Sequence, residues 1–498
     1  MGDLECLMRW FFRLILALPA LLLAAVAWMG IPATGAGLIA KNVCSGVFVA
    51  GRSERDVLAA DVLPASLLLR LGHASVDEGR QLARGRMLWS AQRTAVFLPN
   101  LGCVLDPTPA LLESARSAAS AESADAAGMS SPAPSLPGAP RGVELAATDW
   151  EGIDRAAIAG LIGQAFREDG EAAGRRTRAI VILHRGRLVA EQYADGFDAG
   201  TPQLGWSMSK TVLGVLVYMK LQAQRQDASV RAIDWVSPHR RPPWLQSWDG
   251  DDRSRIRIAD LLFMRDGLRR KEDYQPWGSV PRMLWGVQDV AAFAGSAPAE
   301  APAGQRFRYL SATTNILSGL LREQFDTDAE YWRYPSQALF KPIGAHSAVL
   351  ESDASGTFVA SSYLWATPRD WARIGQVLLE DGQAGGRRVF APGWQRFAGS
   401  PPASDDASAM EYGAHVWLPA APGGAGCGAQ HRLPADTFLS TGHWGQLLAV
   451  IPSRDAVIVR LGMTLDRDAF DRCEFLGAVA AALPAAAPPA ARPAVNGN

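Results

Sequence analysis

Apolar residues change their spacing several times along this chain, and each change marks an element. From Leu14 to Ile31 they run together for eighteen residues, broken only by Pro19 and Gly30 and preceded by Arg9 and Arg13. That length is the lower end of what a spanning helix needs, so residues 1–35 are expected to form an N-terminal membrane helix, retained as an anchor, although small residues at Ala33, Gly35 and Ala36 would suit cleavage. Cys44–Val49 and Arg93–Leu98 then read as short strands flanking a helical stretch from Ser53 to Leu71, a small N-terminal unit over 36–107. No large apolar residue occurs between Leu112 and Met129, and Ala, Ser and Pro dominate, which predicts a linker over 108–145.

A larger domain is expected over 146–483. A helix from Ile153 to Phe166 leads to an apolar run at Ala179–Leu183, a turn at His184–Arg187, and a returning strand at Leu188–Tyr193. Thr211–Met219 is too long and apolar for an ordinary strand and reads as a buried helix beginning at Ser207. Gln446–Ile451 and Ala456–Leu461 form a second hairpin around Pro452–Asp455, and Asp468–Leu483 a final helix. The Ala/Pro-rich tail, 484–498, is expected to be disordered. Helix, antiparallel strands, a helix-rich middle, antiparallel strands and a helix define an α+β architecture.

Composition narrows the function. The formal net charge is −1 with 20% charged residues, so nothing favours nucleic acid as a partner. Cys6 precedes the apolar segment, whereas Cys44, Cys103, Cys427 and Cys473 follow it, an even number that suits disulfides in an exported chain. Proximity suggests pairing Cys44 with Cys103 and Cys427 with Cys473; four cysteines allow three pairings. The folded part is accordingly expected on the extracytoplasmic, periplasmic side. The seven histidines are scattered and no zinc-type spacing of His and Cys occurs, so no metal or cofactor is expected.

Of 49 basic residues only five are lysines: Lys41, Lys210, Lys220, Lys271 and Lys341. A chain that writes nearly every positive charge as arginine has no charge-only reason for lysine, but an amine, unlike a guanidinium, can lose its proton and act as a base. Lys210 alone has a serine three residues before it, in Gly205-Trp206-Ser207-Met208-Ser209-Lys210, and residues three apart share a helix face. Burial in the apolar helix would lower the amine's pKa, letting it activate the Ser207 hydroxyl as a nucleophile. The free N–H groups at the helix start would favour negative charge on a substrate carbonyl oxygen.

Two further segments add polar groups. Phe307-Arg308-Tyr309-Leu310-Ser311 sets a tyrosine and a hydroxyl just before an apolar helix, and Tyr309 beside a lysine could serve as a second proton shuttle. Thr441-Gly442-His443-Trp444-Gly445-Gln446 enters the second hairpin with two glycines that allow close backbone approach, a pattern suited to an active-site strand. There the Gln446 N–H is a candidate oxyanion donor and His443 a candidate partner of the tyrosine or the substrate, with Gly445 and Ser311 as candidate substrate contacts. Tyr274, Trp277, Trp285 and Trp444 suit either a pocket wall or the core.

The order Ser207-x-x-Lys210, Tyr309-x-Ser311, His443-x-Gly445 resembles the serine β-lactamase and penicillin-binding-protein superfamily. The resemblance spans roughly Ile180 to Gly462 and is strongest to the class C-like branch, which holds carboxylesterases and 6-aminohexanoate-dimer hydrolase. It implies a β-lactamase/transpeptidase-like fold, an antiparallel sheet flanked by helices with a helix-rich second lobe. It also implies that Ser207 is acylated, that Lys210 and Tyr309 move protons, that the strand after His443 binds the acyl carbonyl, and that the substrate is a small ester or amide. Two positions depart from class C β-lactamases: Ser311 stands where they carry Asn, and His443 where they carry a Lys that holds the β-lactam carboxylate. Two other readings fit the same residues. Gly205-x-Ser207-x-Ser209 could be an altered nucleophile elbow with His443 and Asp260 or another acid completing a Ser-His-Asp esterase of the α/β-hydrolase type. Alternatively, the domain could be a catalytically inactive or penicillin-binding-type module that recognises cell-wall peptide.

Overall fold

The computed structural model describes residues 29–126, 144–145, 151–168, 174–404, 406–419, 427 and 431–486. Most of the expected membrane helix, the centre of the expected linker and the end of the tail lie outside these residues. Among the described residues no helix is long and apolar enough to cross a membrane. Ile31–Gly35, expected at the end of the membrane segment, form instead the first turn of helix α1 (Ile31–Cys44), which starts after left-handed Gly30.

α1 lies across a four-stranded antiparallel sheet of β1 (Gly72–Asp77), β2 (Leu82–Met87), β3 (Arg93–Leu98) and β4 (Gly102–Leu105). Its Ala36, Ile39, Ala40 and Val43 are buried. β3 falls where the sequence predicts it, but Cys44–Val49 is no strand: α1 continues there into a π-helical turn, Ser45–Val49. The helical stretch from Ser53 is broken into short pieces: Glu54–Val57, a π turn at Leu58–Val62, and 3₁₀ turns at Leu63–Ala65 and Leu67–Leu71. The predicted linker opens with a helix, α2 (Pro109–Ala126), since Ala is the best intrinsic helix former even where no apolar stripe exists.

The main sheet has the order β13-β14-β15-β6-β7-β5, with every neighbouring pair antiparallel. In chain order its N-terminal half comprises β5 (Glu144–Leu145), helix α3 (Arg155–Phe166), β6 (Thr177–His184) and β7 (Arg187–Tyr193). A short strand β8 (Gln203–Leu204) leads to α4 (Ser209–Ala223), and the helix-rich middle contains α5 (Ser311–Arg322). Next come β9 (Val349–Leu350), β10 (Leu364–Ala366), α6 (Pro368–Leu379), and a small ribbon, β11 (Gln383–Ala384) with β12 (Arg387–Arg388). β13 (Phe438–Gly442), β14 (Gln446–Ile451), β15 (Ala456–Gly462) and α7 (Arg472–Ala482) close the chain. Period-2 alternation divides the sheet between two cores. Ile180, Ile182, Ala449 and Ile458 face α3 and α7, while Val181, Leu448, Val457 and Val459 face the core that includes α6. Cys427 and Cys473 form one disulfide and Cys44 and Cys103 the other.

Apolar residues of the N-terminal unit and of the α4–α5 lobe belong to one larger core. A buried ion pair fixes the junction: Lys41 Nζ lies 2.8 Å from Glu351 Oε2, with side-chain exposures of 2% and 0%. Glu351 also accepts bonds from Ser45 Oγ, the Cys103 N–H and Trp365 Nε1, at 2.8, 2.8 and 2.9 Å, and Lys41 donates to the Cys103 carbonyl. The carboxylate thus receives four donors, Lys41 among them, inside the junction. Because a lone buried charge is costly, Glu351→Ala should destabilise the protein by about 3–5 kcal/mol, read from denaturant midpoints. A Lys41→Met/Glu351→Leu double variant should recover most of that loss.

Candidate active site

Ser207 sits in a 3₁₀ turn, Trp206–Met208, that runs directly into α4. Trp206 is held at φ 49°, in the left-handed region that costs a β-carbon-bearing residue about 1–3 kcal/mol, so packing must enforce it. Its ring meets His443 and Trp444 edge-on, at centroid distances of 5.5 and 5.2 Å. The Gly205 N–H bonds the Leu364 carbonyl at 2.9 Å, which ties the turn to β10.

One helical turn on, Lys210 is 1% exposed. Its amine lies 2.8 Å from Ser207 Oγ, 3.1 Å from Ser311 Oγ and 3.0 Å from the Ser361 carbonyl. Burial pulls its pKa down to about 8, against the opposing field of Glu272. The Tyr309 ring lies beside it, its centroid 5.0 Å from Nζ. Burial pushes the Tyr309 phenol up, and its hydrogen bond with Ser207 works in the opposite direction. Ser207, Lys210 and Tyr309, up to about a hundred residues apart in sequence, thus meet around one hydroxyl.

Ser311 is placed differently from the expectation of a substrate contact. It is buried behind the lysine, its hydroxyl donating to Glu272 Oε1 at 2.6 Å and receiving the Lys210 amine, while its N–H bonds Glu272 Oε2 at 2.7 Å. Glu272 also accepts from Tyr274 OH at 3.0 Å. No motif marks Glu272: it is one acid in a polar loop, and only the fold carries it to Ser311. Beneath the same helix, buried His415 is held neutral, its pKa lowered to about 3 by burial and by Lys210, with Nδ1 2.9 Å from the Leu262 carbonyl.

The opposite wall is the turn between β13 and β14. Trp444 and Gly445 both have positive φ, 61° and 82°, and a β-carbon on Gly445 would lie 2.4 Å from Arg460 Nη1. Arg460, fully buried, bonds the Gly445 carbonyl at 2.7 Å and props the turn from behind. His443 stacks on Tyr274 at 4.7 Å with an interplanar angle of 7°, and burial with a push from Arg467 lowers its pKa to about 4. It is therefore a neutral ring at physiological pH. The Gln446 side chain serves the fold, with Nε2 2.6 Å from the Gly462 carbonyl and Oε1 3.0 Å from the Gly462 N–H. Asp260, the acid of the Ser-His-Asp alternative, spends both oxygens on Arg257.

Between the two walls lies a cleft of about 430 Å³, lined by Ser207, Glu272, Tyr309, His443, Gly445 and Gln446 among others. Of the four undecided aromatics, Tyr274 and Trp444 line it; Trp285 is buried away from it, and Trp277 is 55% exposed. The arrangement brings a hydroxyl, a depressed-pKa amine and a phenol to the floor of a cleft, which suits acyl transfer.

A match to the Beta-lactamase family covers residues 162–481, well over half the chain, and the protein belongs to that family. It is 27% identical over 312 residues to a 6-aminohexanoate-dimer hydrolase from Paenarthrobacter ureafaciens, an alignment spanning 59% of this chain and 74% of the relative. Its fold is similar to that of a penicillin-binding protein homolog from Caulobacter crescentus (TM-score 0.50, 16% identity), covering 68% of this chain and 100% of that one. A family VIII carboxylesterase is similar to the same degree (TM-score 0.50, 13% identity, 68% and 100% covered). The protein is a serine hydrolase of the β-lactamase-related kind.

A β-carbon on Gly442 would lie 2.2 Å from the Gly205 carbonyl and 2.8 Å from Gln446 Cβ, so this glycine sets the spacing between the two walls. Gly442→Ala should lower kcat/KM about 100-fold, the scale of a displacement near 1 Å, with an unchanged far-ultraviolet circular dichroism spectrum.

Proposed function

We propose that the protein cleaves a small ester or amide through an acyl-enzyme intermediate on Ser207. The observation that carries this reading is the 2.8 Å contact between Ser207 Oγ and an amine that burial brings to about 8. Neutral Lys210 takes the hydroxyl proton as Oγ attacks the carbonyl carbon. The Ser207 and Gln446 N–H groups receive the developing oxyanion. Lys210 and Tyr309 pass the proton to the departing alcohol or amine as its bond to carbon breaks. Water then enters, gives a proton to the same base and releases the acid, restoring Ser207. The Ser311–Glu272 pair positions the amine and tempers its pKa. A neutral His443, where class C β-lactamases carry a cationic lysine, supports a substrate other than a β-lactam. The two disulfides support an extracytoplasmic location, and the Leu14–Ile31 run supports attachment to the membrane.

Intact-mass measurement after exposure to a panel of esters, amides and β-lactams should show an acyl adduct on the wild type and none on Ser207→Ala. Lys210→Arg, which keeps charge but cannot accept a proton at neutral pH, should lower turnover by about 10³-fold or more; near-normal turnover would remove lysine as the base.

Since only the neutral amine accepts a proton, kcat/KM should rise with pH through an acid limb near 8, the depressed Lys210 value. Glu272 favours the ammonium, so Glu272→Gln should move that limb to lower pH, and a shift to higher pH would contradict the assigned role.

A further inference from the structure

A second cavity, of about 400 Å³, opens beside the catalytic cleft between the N-terminal residues and the hydrolase domain. Ile31 and Leu38 of α1 and Leu68 and Leu69 of the loop before β1 form one wall, with Pro281 and Trp285 opposite. At its inner end Tyr274, His443 and Trp444 line both this cavity and the cleft that holds Ser207, and Trp206 lines the cavity beside them. The two spaces differ in chemistry. The cleft is lined by Glu272, Glu411, Arg467 and Arg472, whereas the described side chains that line the second cavity include no acid, lysine or arginine. Its outer lip is apolar and open to solvent: Leu68 is 41% exposed, with Leu67 at 75% and Leu71 at 51% on the same turn. A charged substituent would lose its hydration there, where the polar groups of the described lining, among them Thr34, Ser66, Gln275, Tyr274 and His443, offer no counter-charge, whereas an alkyl chain would cover apolar surface.

We propose that this cavity is the subsite for a linear aliphatic chain that the substrate carries on one side of its scissile ester or amide bond. The inference rests on Ser207 hydrolysis as proposed above and adds a substrate class to it: medium-chain acyl or alkyl compounds. It also gives the N-terminal residues, which precede the family match at 162–481, a part in binding. Removing a methylene from water is worth a factor of about three to four, so affinity should climb with chain length until the cavity is full.

Two series run on the full chain test this: p-nitrophenyl acyl esters from acetate to decanoate, and alkyl acetates of the same lengths. One series should show kcat/KM rising about threefold per methylene up to about eight carbons. Leu68→Asp, which puts a charge on the cavity lip, and Leu38→Trp, which fills the cavity, should flatten the slope. Titration of the Ser207→Ala protein with 1-decanol, by calorimetry, reads the site without turnover. Saturable decanol binding that Leu68→Asp weakens tenfold or more supports the proposal. Flat series in both arms overturn it while leaving the hydrolase reading intact, and so does a slope that both variants keep. Decanol binding at this site with no turnover of any ester or amide would instead sink the hydrolase reading and retain an apolar-chain site.

Discussion

Burial of one amine is the constraint on which the rest of this site depends. In water the Lys210 ammonium would be a poor base at neutral pH; enclosed by α4, α5 and the segment before β10, it sits at about 8. The enclosure carries its own costs, because every donor position of a buried amine needs an acceptor. Ser207, Ser311 and the Ser361 carbonyl supply three, each from a different part of the chain. Asn315 on α5 fixes the last of these by accepting the Ser361 N–H at 3.2 Å. Moving any of the three segments would alter both the nucleophile's partner and the pKa that makes the partner useful.

A second buried lysine shows what distinguishes the proposed base from a strut. Lys41 is as deeply enclosed as Lys210, and burial pulls its pKa down too. It differs in having a carboxylate at 2.8 Å, which opposes that pull. Lys210 meets its nearest acid only through the Ser311 hydroxyl, so Glu272 moderates the amine without neutralising it. One interposed hydroxyl separates the proposed proton carrier from a buried ion pair. The Lys41–Glu351 pair in turn helps hold the segment that Lys210 uses, since Trp365 of β10 bonds Glu351 four residues beyond Ser361.

Much of the frame was legible because it rests on local periodicity. The β6–β7 and β14–β15 hairpins, α4 and the final helix follow from apolar runs bounded by turn residues, and they appear within a few residues of their expected ends. Errors fell where neighbours override local preference. Cys44–Val49 is rich in β-formers yet continues α1, because the helix buries Cys44, Ser45 and Gly46 against the rest of the N-terminal fold. β1 and β2 escaped notice because exposed and half-buried positions in His73–Asp77, and charges at Arg84 and Arg86, dilute the strand pattern. Ser311 was recognised as part of a motif, but its direction, toward the lysine and away from the cleft, was not.

By itself the sequence determined that a lysine sits one helical turn after a serine on an apolar helix, that a tyrosine and a Gly-rich hairpin follow in a set order, and that four cysteines come in two nearby pairs. These are covalent spacings, and local backbone physics suffices to interpret them. Tertiary structure alone decided how deeply Lys210 is buried, that Glu272 reaches it through Ser311, and that His443 is a neutral stacking ring. It also decided that residues before the family domain wall a second cavity beside the first. Desolvation, field and cavity shape are set by atoms far apart in the chain, and no spacing along the sequence encodes them.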